Sequence, residues 1–204
     1  MTKTWLISDT HFGHHGTCAV FTKQDGTPLR PFSSVEEMNE IMIKNWNNIV
    51  WPEDRVYHLG DVVINRRFLN SVIPRLAGRK ALIMGNHDLF KVEEYLAAGF
   101  DKILSSTKLD TYLLTHIPVH PNSIPHWCTA NIHGHLHSNV HNDPKYINVG
   151  VEQTDFTPIN FDDVKKRVAQ NQLKFQQSGR VLNWAFTDQN AWKPEGLSHN
   201  KGPG

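Results

Sequence analysis

Five short clusters of residues that can bind metal ions follow one another along the chain, each where a hydrophobic run ends in a turn. They are Asp9-Thr10-His11, Gly60-Asp61, Gly85-Asn86-His87-Asp88, Thr115-His116 and Gly134-His135-Leu136-His137. Side chains at the ends of neighbouring strands can project into one shared cleft. Together the clusters offer enough oxygen and nitrogen ligands for two adjacent divalent ions, and two-metal sites commonly catalyse displacement at phosphorus. The clusters therefore predict hydrolysis of a phosphate ester.

Taken one at a time, the clusters have simpler interpretations. Asp9 and His11 are two residues apart, which places both on one face of an extended strand, but a strand-terminal Asp also caps turns. The pair Gly60-Asp61 is usual in a plain turn, and a lone histidine such as His116 is usually structural. The segment 134–137 is the most specific, because two histidines two residues apart can face one cleft and serve different ions. The coincidence of five clusters at predicted strand ends favours metal binding.

The length and composition of the chain limit the kinds of protein that it can be. The chain has 204 residues, enough for one domain with a short appendage. Its formal net charge of +1 does not indicate a strongly basic nucleic-acid surface. Cys18 and Cys128 have no paired spacing; one disulfide is an alternative, but we expect two reduced thiols. Since neither a signal peptide nor a membrane-spanning run is found, we expect a cytoplasmic protein.

Histidine is abundant, with thirteen residues, and more than half of them lie in or beside the clusters. These are His11, His14, His15, His87, His116, His135 and His137.

Strands alternate with helices in the first half of the chain, which predicts an α/β (α+β) fold. The predicted strands there are 5–8, 55–61 and 80–86, and the predicted helices are 35–48, 68–76 and 92–98. Residues 13–32 have no clean periodicity and are predicted to be a long loop. Further strands at 102–106, 111–115, 130–133 and 146–151 predict a second, partly antiparallel sheet, followed by a helix over 161–176.

The order Asp-x-His, Gly-Asp, Gly-Asn-His-Asp, His and Gly-His-x-His resembles the calcineurin-like metallophosphoesterase superfamily. The resemblance extends from Trp5 to about Val151. The run from Ile7 to His14, with Arg30-Pro31-Phe32 before a helix, is similar to small single-domain members of bacteria and phages. The resemblance implies a four-layer sandwich of two mixed β-sheets flanked by helices, with a dinuclear metal site at the C-terminal ends of strands. We expect a metallophosphoesterase domain over residues 1–176 and a partly mobile C-terminal extension over residues 177–204.

The resemblance also implies a role for each site residue. Asp9, His11 and His137 would hold the first metal, Asn86, His116 and His135 the second, and Asp61 would bridge them. A hydroxide between the ions would attack phosphorus, and His87 would donate a hydrogen bond or a proton to the leaving oxygen. Asp88 would orient the His87 ring. His14 would contact the substrate phosphate, unless it is a plain loop histidine.

Two arginines follow Asp61 and are candidates for substrate binding. Arg66 and Arg67 could clamp a phosphate through paired N–H donors. They also begin a predicted helix, however, so a solvated charged face is the interpretation we favour.

The ligand types and the length of the chain narrow the cofactor and the substrate. Mixed Asp, Asn and His ligands suit Mn, Fe, Ni, Co or Zn better than Mg or Ca, and we favour two Mn ions. The chain lacks the Asp-Arg-Gly run of the superfamily's protein phosphatases, and 204 residues leave no room for the extra domains of its nucleotidases and purple acid phosphatases. The modest charge speaks against the DNA-binding cap of its repair nucleases. We expect a phosphodiesterase for a small ester, with nucleotides and cyclic nucleotides among the candidates.

Two alternatives stay open. One is a phosphomonoesterase with the same mechanism, and the other is a non-catalytic scaffold that binds proteins. Neither a membrane nor a nucleic-acid polymer is expected as a partner, and the oligomeric state is left open.

Overall fold

The computed structural model describes residues 2–23 and 25–180, which form two β-sheets and five α-helices. The strands are β1 (Thr4–Ile7), β2 (Arg55–His58), β3 (Arg79–Ile83), β4 (Phe100–Leu104), β5 (Thr107–Leu109), β6 (Tyr112–Leu114), β7 (Ala130–His133), β8 (Tyr146–Asn148) and β9 (Ile159–Asn160). The helices are α1 (His15–Ala19), α2 (Val35–Ile49), α3 (Arg66–Val72), α4 (Val92–Ala98) and α5 (Phe161–Gln177).

Both sheets are mixed. The first has the strand order β4-β3-β2-β1-β9, in which only β9 runs antiparallel to its neighbour. The second has the order β5-β6-β7-β8, in which β5 is antiparallel to β6 and the other pairs are parallel. The predicted α/β fold with two mixed sheets is therefore confirmed. Because the clusters follow parallel strands, their residues collect at the same edge of each sheet.

Two hydrophobic cores cover the two faces of the first sheet. In β1, Leu6 belongs to the core shared with the second sheet and α5, whereas Ile7 belongs to the core shared with α2, α3 and α4. Successive strand residues point to opposite faces, so a strand covered on both sides is apolar at every position. Leu6 and Ile7 are both fully buried. The short apolar run before Asp9 is thus explained by burial on both faces.

Local signals set the bounds of the helices. The Ser34 side chain caps α2 by accepting a hydrogen bond from the Glu37 N–H. The helix predicted over 68–76 begins and ends earlier: α3 ends at Val72, and the chain continues as a 3₁₀ turn that contains Pro74, which has no N–H for a helical hydrogen bond. Gly99 ends α4 with a φ of 115°, a left-handed conformation that glycine adopts without a steric penalty.

Several elements differ from the prediction. The strand predicted at 102–106 was assigned to the second sheet, and this was wrong, because β4 pairs in parallel with β3 in the first sheet. The α4 helix supplies the crossover that such a parallel pair needs. The short elements α1, β5 and β9 were not predicted, since two to five residues are too few to show a period.

The helix α5 ends at Gln177, and residues 181–204 of the predicted extension lie outside the part of the chain that the structure describes. The domain boundary after residue 176 stays a prediction. Cys18 and Cys128 are free thiols. Among residues 2–23 and 25–180, no helix is long and apolar enough to cross a bilayer. The cytoplasmic location stays a prediction.

Candidate metal centre

The five clusters meet where the ends of the two sheets come together. The Asp9 N–H donates to the Gly60 carbonyl at 2.9 Å, which joins the loops after β1 and β2. The Gly134 N–H donates to the His116 carbonyl at 2.9 Å, which joins the loops after β7 and β6. The His135 N–H donates to the Asp9 carboxylate at 2.9 Å and so connects the two sheets. These bonds fix the ligand loops against one another.

The structure brings six of the seven predicted ligands into two groups. The first ligand group is Asp9, His11 and His137, and the second ligand group is Asp61, His116 and His135. Within each group the candidate ligand atoms lie within 4.8 Å of one another. The Asn86 Oδ1 atom lies 3.0 Å from His116 Nε2, which places the seventh predicted ligand beside the second group.

Asp61 lies between the two groups. Its Oδ2 atom is 3.5 Å from His11 Nε2 in the first group and 3.3 Å from His116 Nε2 in the second. A single carboxylate that reaches ligands of both groups has the geometry of a bridging ligand. The bridging role assigned to Asp61 from the sequence remains a prediction that this geometry makes possible.

Five of the predicted ligands have a left-handed backbone. Their φ angles are 59° at Asp9, 45° at His11, 58° at Asp61, 68° at His135 and 50° at His137. Non-glycine residues adopt this region seldom, at a cost of about 1–3 kcal/mol each, and such residues concentrate at functional sites. The left-handed conformation directs the side chains of these loops toward the candidate metal centre.

His11 provides the test of whether these residues fit a cation. Both of its ring nitrogens are buried and have no hydrogen-bond partner. An imidazole buried without hydrogen-bond partners costs roughly 1–3 kcal/mol, and coordination of a cation by one nitrogen would remove part of that cost. His116 supports the same conclusion, because its Nδ1 donates to the Leu59 carbonyl at 2.7 Å and so leaves Nε2 toward the oxygens of Asp61 and Asn86. The donor set fits divalent cations that accept nitrogen and oxygen ligands.

The two aspartates of the groups have opposite pKa shifts. Burial raises the pKa of Asp9 from 3.8 to about 6, although His116 and His137 oppose the shift. Burial also acts to raise the pKa of Asp61, but the hydrogen bond and the charge of His116 outweigh it and lower that pKa to about 2. Burial lowers the pKa of His116, and the neighbouring Asp61 and Asp9 reverse this and raise it. A proton on His116 Nε2 would therefore compete with a cation for that nitrogen.

The predicted substrate histidines lie beside the first ligand group. The His87 ring centroid is 5.5 Å from that of His11, and the His87 N–H donates to Asp61 Oδ1 at 2.8 Å. The His14 ring centroid is 5.7 Å from that of His11, and the His14 ring also contacts Phe21. Neither histidine belongs to the two ligand groups. Their position is therefore compatible with a role toward the substrate.

Asp88 joins two of the ligand loops. Its buried carboxylate accepts hydrogen bonds from the N–H groups of Asp61 and Gly85, each at 2.8 Å, and of Val62 at 3.0 Å. These bonds hold the loop that carries Asp61 against the loop that carries Asn86. The role assigned to Asp88 toward the His87 ring stays a prediction.

The two candidate arginines are exposed residues in the first turn of α3. The Arg66 guanidinium pairs with the Glu94 carboxylate and lies 5.0 Å from the centroid of the Phe90 ring. The Arg67 guanidinium lies 5.8 Å from the centroid of the Phe68 ring. Arg66 is thus engaged by α4, and its binding of phosphate stays a prediction, as does that of Arg67.

Two buried charged residues beside the first group were not recognised as site residues from the sequence. They are Arg30, which contacts the backbone of Asp9 and Thr10, and Glu152, which contacts His137. In the sequence, Arg30 belongs only to the Arg30-Pro31-Phe32 run that carries part of the family resemblance. Glu152 had no local signal, because a single Glu after a strand is ordinary.

Comparison with known proteins shows the family of the chain. No protein-family model matches it. It is 34% identical over 187 residues to the uncharacterized protein MJ1445 of Methanocaldococcus jannaschii, a match that covers 85% of this chain and 95% of MJ1445. The chain belongs to the family of MJ1445. A 93-residue stretch, 43% of the chain, is also 33% identical to 41% of the gene 66 protein of Mycobacterium phage L5.

A solved structure similar to this member of the MJ1445 family is AQ665 from Aquifex aeolicus, a protein of unknown function. The TM-score is 0.60 at 28% identity, and the match covers 81% of this chain and 99% of AQ665. The similarity to the nuclease MPE of Pseudomonas putida has a TM-score of 0.43 at 18% identity and is too distant to carry an argument.

The crowding at Gly134 predicts the effect of Gly134→Ala. A Cβ atom there would lie within 3.0 Å of Ser8 Oγ and Asp9 Oδ2, so Asp9 would have to move. We expect Mn²⁺ affinity to fall about tenfold or more, as measured by isothermal titration calorimetry. Gly99→Ala is the control, because a Cβ there meets nothing within 4 Å. It should cost about 1 kcal/mol of stability and leave Mn²⁺ affinity unchanged. Equal Mn²⁺ affinities for the two variants would contradict the proposed crowding.

The raised pKa of Asp9 predicts how the stability of metal-free protein depends on pH. Since the pKa is about 6 in the folded chain and 3.8 ordinarily, the stability from protonated Asp9 is present below about pH 4 and lost as pH rises through 6. Asp9→Asn removes this loss. We expect the metal-free variant to exceed wild type by up to about 3 kcal/mol at about pH 8, and to match it near pH 4. Urea unfolding in the presence of chelator measures the difference; a difference that did not vary with pH would contradict the shift.

Proposed function

We propose that this chain is a metal-dependent phosphoric ester hydrolase of the calcineurin-like metallophosphoesterase type. The observation that carries the proposal is the pair of ligand groups with the Asp61 carboxylate between them. Sites for two cations that share one carboxylate suit a reaction in which a nucleophile and a phosphoryl oxygen must be held together. The order of the motifs along the chain supports the same class.

Each ligand group would hold one divalent cation. Asp9, His11 and His137 would hold one cation, and His116, His135 and Asn86 the other, with Asp61 shared. When bound, two divalent cations would polarise the phosphoryl oxygens and lower the pKa of the water that attacks phosphorus. We favour Mn among Mn, Fe, Ni, Co and Zn, since the ligands are mixed nitrogen and oxygen.

His87 is the residue that we assign to the leaving group. It lies against His11, outside both ligand groups, and its backbone N–H is anchored to Asp61. An imidazole in that position could hold a proton near the leaving oxygen without being occupied by a cation. His14, whose ring centroid lies 5.7 Å from that of His11, would contact the phosphate.

The substrate that we propose is a small phosphodiester, with nucleotides and cyclic nucleotides among the candidates. The balanced composition, with 21 basic and 20 acidic residues, offers little general attraction for a nucleic-acid polymer. The phosphomonoesterase and the scaffold are the outcomes against which the proposal is tested.

Turnover of two artificial substrates tests the reaction class. Protein stripped with chelator and reloaded with Mn²⁺ should hydrolyse bis(p-nitrophenyl) phosphate, whereas the stripped protein should not. A higher kcat/KM for this diester than for p-nitrophenyl phosphate supports the diesterase. A preference for the monoester would favour the alternative enzyme. Failure to cleave either ester while binding Mn²⁺ would favour the scaffold.

His87→Ala tests the proton donor. We expect kcat for the diester to fall roughly 100- to 10,000-fold, because general acid catalysis contributes about that much, while Mn²⁺ binding is retained. His126→Ala is the matched control, since His126 is an exposed histidine outside both ligand groups. An unchanged kcat in His87→Ala would remove His87 from the mechanism. Loss of Mn²⁺ in that variant would instead make it a ligand.

A further inference from the structure

Arg30 and Glu152 form a buried ion pair behind the first ligand group. The Arg30 Nε and Nη2 atoms both lie 2.8 Å from Glu152 Oε1. The exposed fractions of the two side chains are only 0% and 2%, so water does not screen the pair. Arg30 comes from the loop before α2, and Glu152 from the 3₁₀ turn after β8. The pair therefore joins two distant parts of the chain at the site.

Arg30 also holds the backbone that carries two of the ligands. Its Nη2 donates to the Asp9 carbonyl at 2.5 Å, and its Nη1 donates to the Thr10 carbonyl at 2.7 Å. Asp9 is one of the residues with a left-handed backbone, which persists only where surrounding contacts enforce it. The planar guanidinium is suited to binding two carbonyls and a carboxylate at once, since its donors have fixed directions.

Glu152 holds the third member of the group. Its Oε1 atom lies 3.2 Å from His137 Nδ1, so the carboxylate accepts the Nδ1–H and leaves Nε2 as the nitrogen available to a cation. A carboxylate behind a ligating histidine fixes the ring and makes it a stronger ligand. One oxygen atom of Glu152 thus connects to Asp9 through Arg30 and to His137 directly.

The second ligand group is held differently. There the His116 ring is oriented by a backbone carbonyl, that of Leu59, at 2.7 Å. A neutral carbonyl supplies orientation without charge. The charged support of Arg30 and Glu152 is thus directed to the first group, and its loss should affect the two groups unequally.

A purely structural role does not account for the pair. Buried ion pairs contribute little net stability, because desolvation offsets their attraction. Glu152 Oε2 is, in addition, buried without a hydrogen-bond partner, which adds to the cost of folding. The cost of this ion pair in folding free energy is explained if the pair orients the ligands of the first group.

We propose that Glu152, together with Arg30, is a positioning residue that preorganises the first ligand group for its cation. The inference rests on the proposed function in one respect, namely that the two groups bind two cations. It adds that binding to the first group depends on Glu152 and that binding to the second does not.

Mn²⁺ titration of the full chain tests this inference. Wild type should bind two Mn²⁺ ions in isothermal titration calorimetry. In Glu152→Ala one of the two affinities should fall about 10- to 100-fold and the other should stay unchanged. Glu152→Gln should recover part of the loss, because its amide oxygen can still accept from Arg30 and His137. His137→Ala and His135→Ala identify which of the two binding steps belongs to which ligand group.

Glu40→Ala is the matched control. Glu40 forms an ion pair with Arg75, but both side chains are exposed and Glu40 belongs to neither ligand group. This variant should leave both Mn²⁺ affinities unchanged. A second readout uses metal-free protein: nitrogen-15 spectra should show His137 as the Nδ1–H tautomer in wild type and lose that preference in Glu152→Ala.

The outcomes separate the inference from the proposed function. A wild-type chain that does not bind two Mn²⁺ ions would overturn the proposed function. Two ions bound by wild type with both affinities retained in Glu152→Ala would overturn only the inference. If Glu152→Ala does not fold, Glu152→Gln and Arg30→Lys decide: unchanged affinity for the first group in both variants would equally overturn it.

Discussion

The close contact of the two sheets at Ser8 is the constraint on which the site depends. The Ser8 N–H donates to the Val149 carbonyl at 3.1 Å, and the Ser8 carbonyl accepts from the Val151 N–H at 3.0 Å, so the chain leaving β1 runs directly against the chain leaving β8. Beside this contact, a Cβ atom at Gly134 would lie within 3.0 Å of the Ser8 side chain and of Asp9 Oδ2. The same closeness brings Asp9 within reach of His137 and Glu152 within reach of Arg30.

The buried polar groups of the site are not all satisfied by hydrogen bonds. Asp88 accepts hydrogen bonds from three backbone N–H groups. In the first ligand group, burial raises the pKa of Asp9 to about 6, and both ring nitrogens of His11 lack a hydrogen-bond partner. The metal-free chain therefore carries a local cost that bound cations would relieve. Proteins generally accept such costs where function requires them.

Much of the fold could be predicted because its signals are local. The Ser34 cap and the glycine after α4 each act within one turn of the chain, so the bounds of α2 and α4 could be placed closely. Strand pairing is different, because register and partner depend on residues far apart in sequence. For that reason β4 was assigned to the wrong sheet, and the two-residue β9 was missed.

The sequence by itself determined which ligand types are available and in what order, since Asp, Asn and His carry their donor atoms wherever the chain places them. It also placed each of them after a strand, because buried strands are apolar and end where polar residues begin. Only the tertiary structure decided which ligands share a group, that Asp61 lies between the groups, and that Arg30 and Glu152 support the first. The physical reason is that these relations come from sheet contacts and from left-handed turns, which hydrogen bonds between distant loops impose.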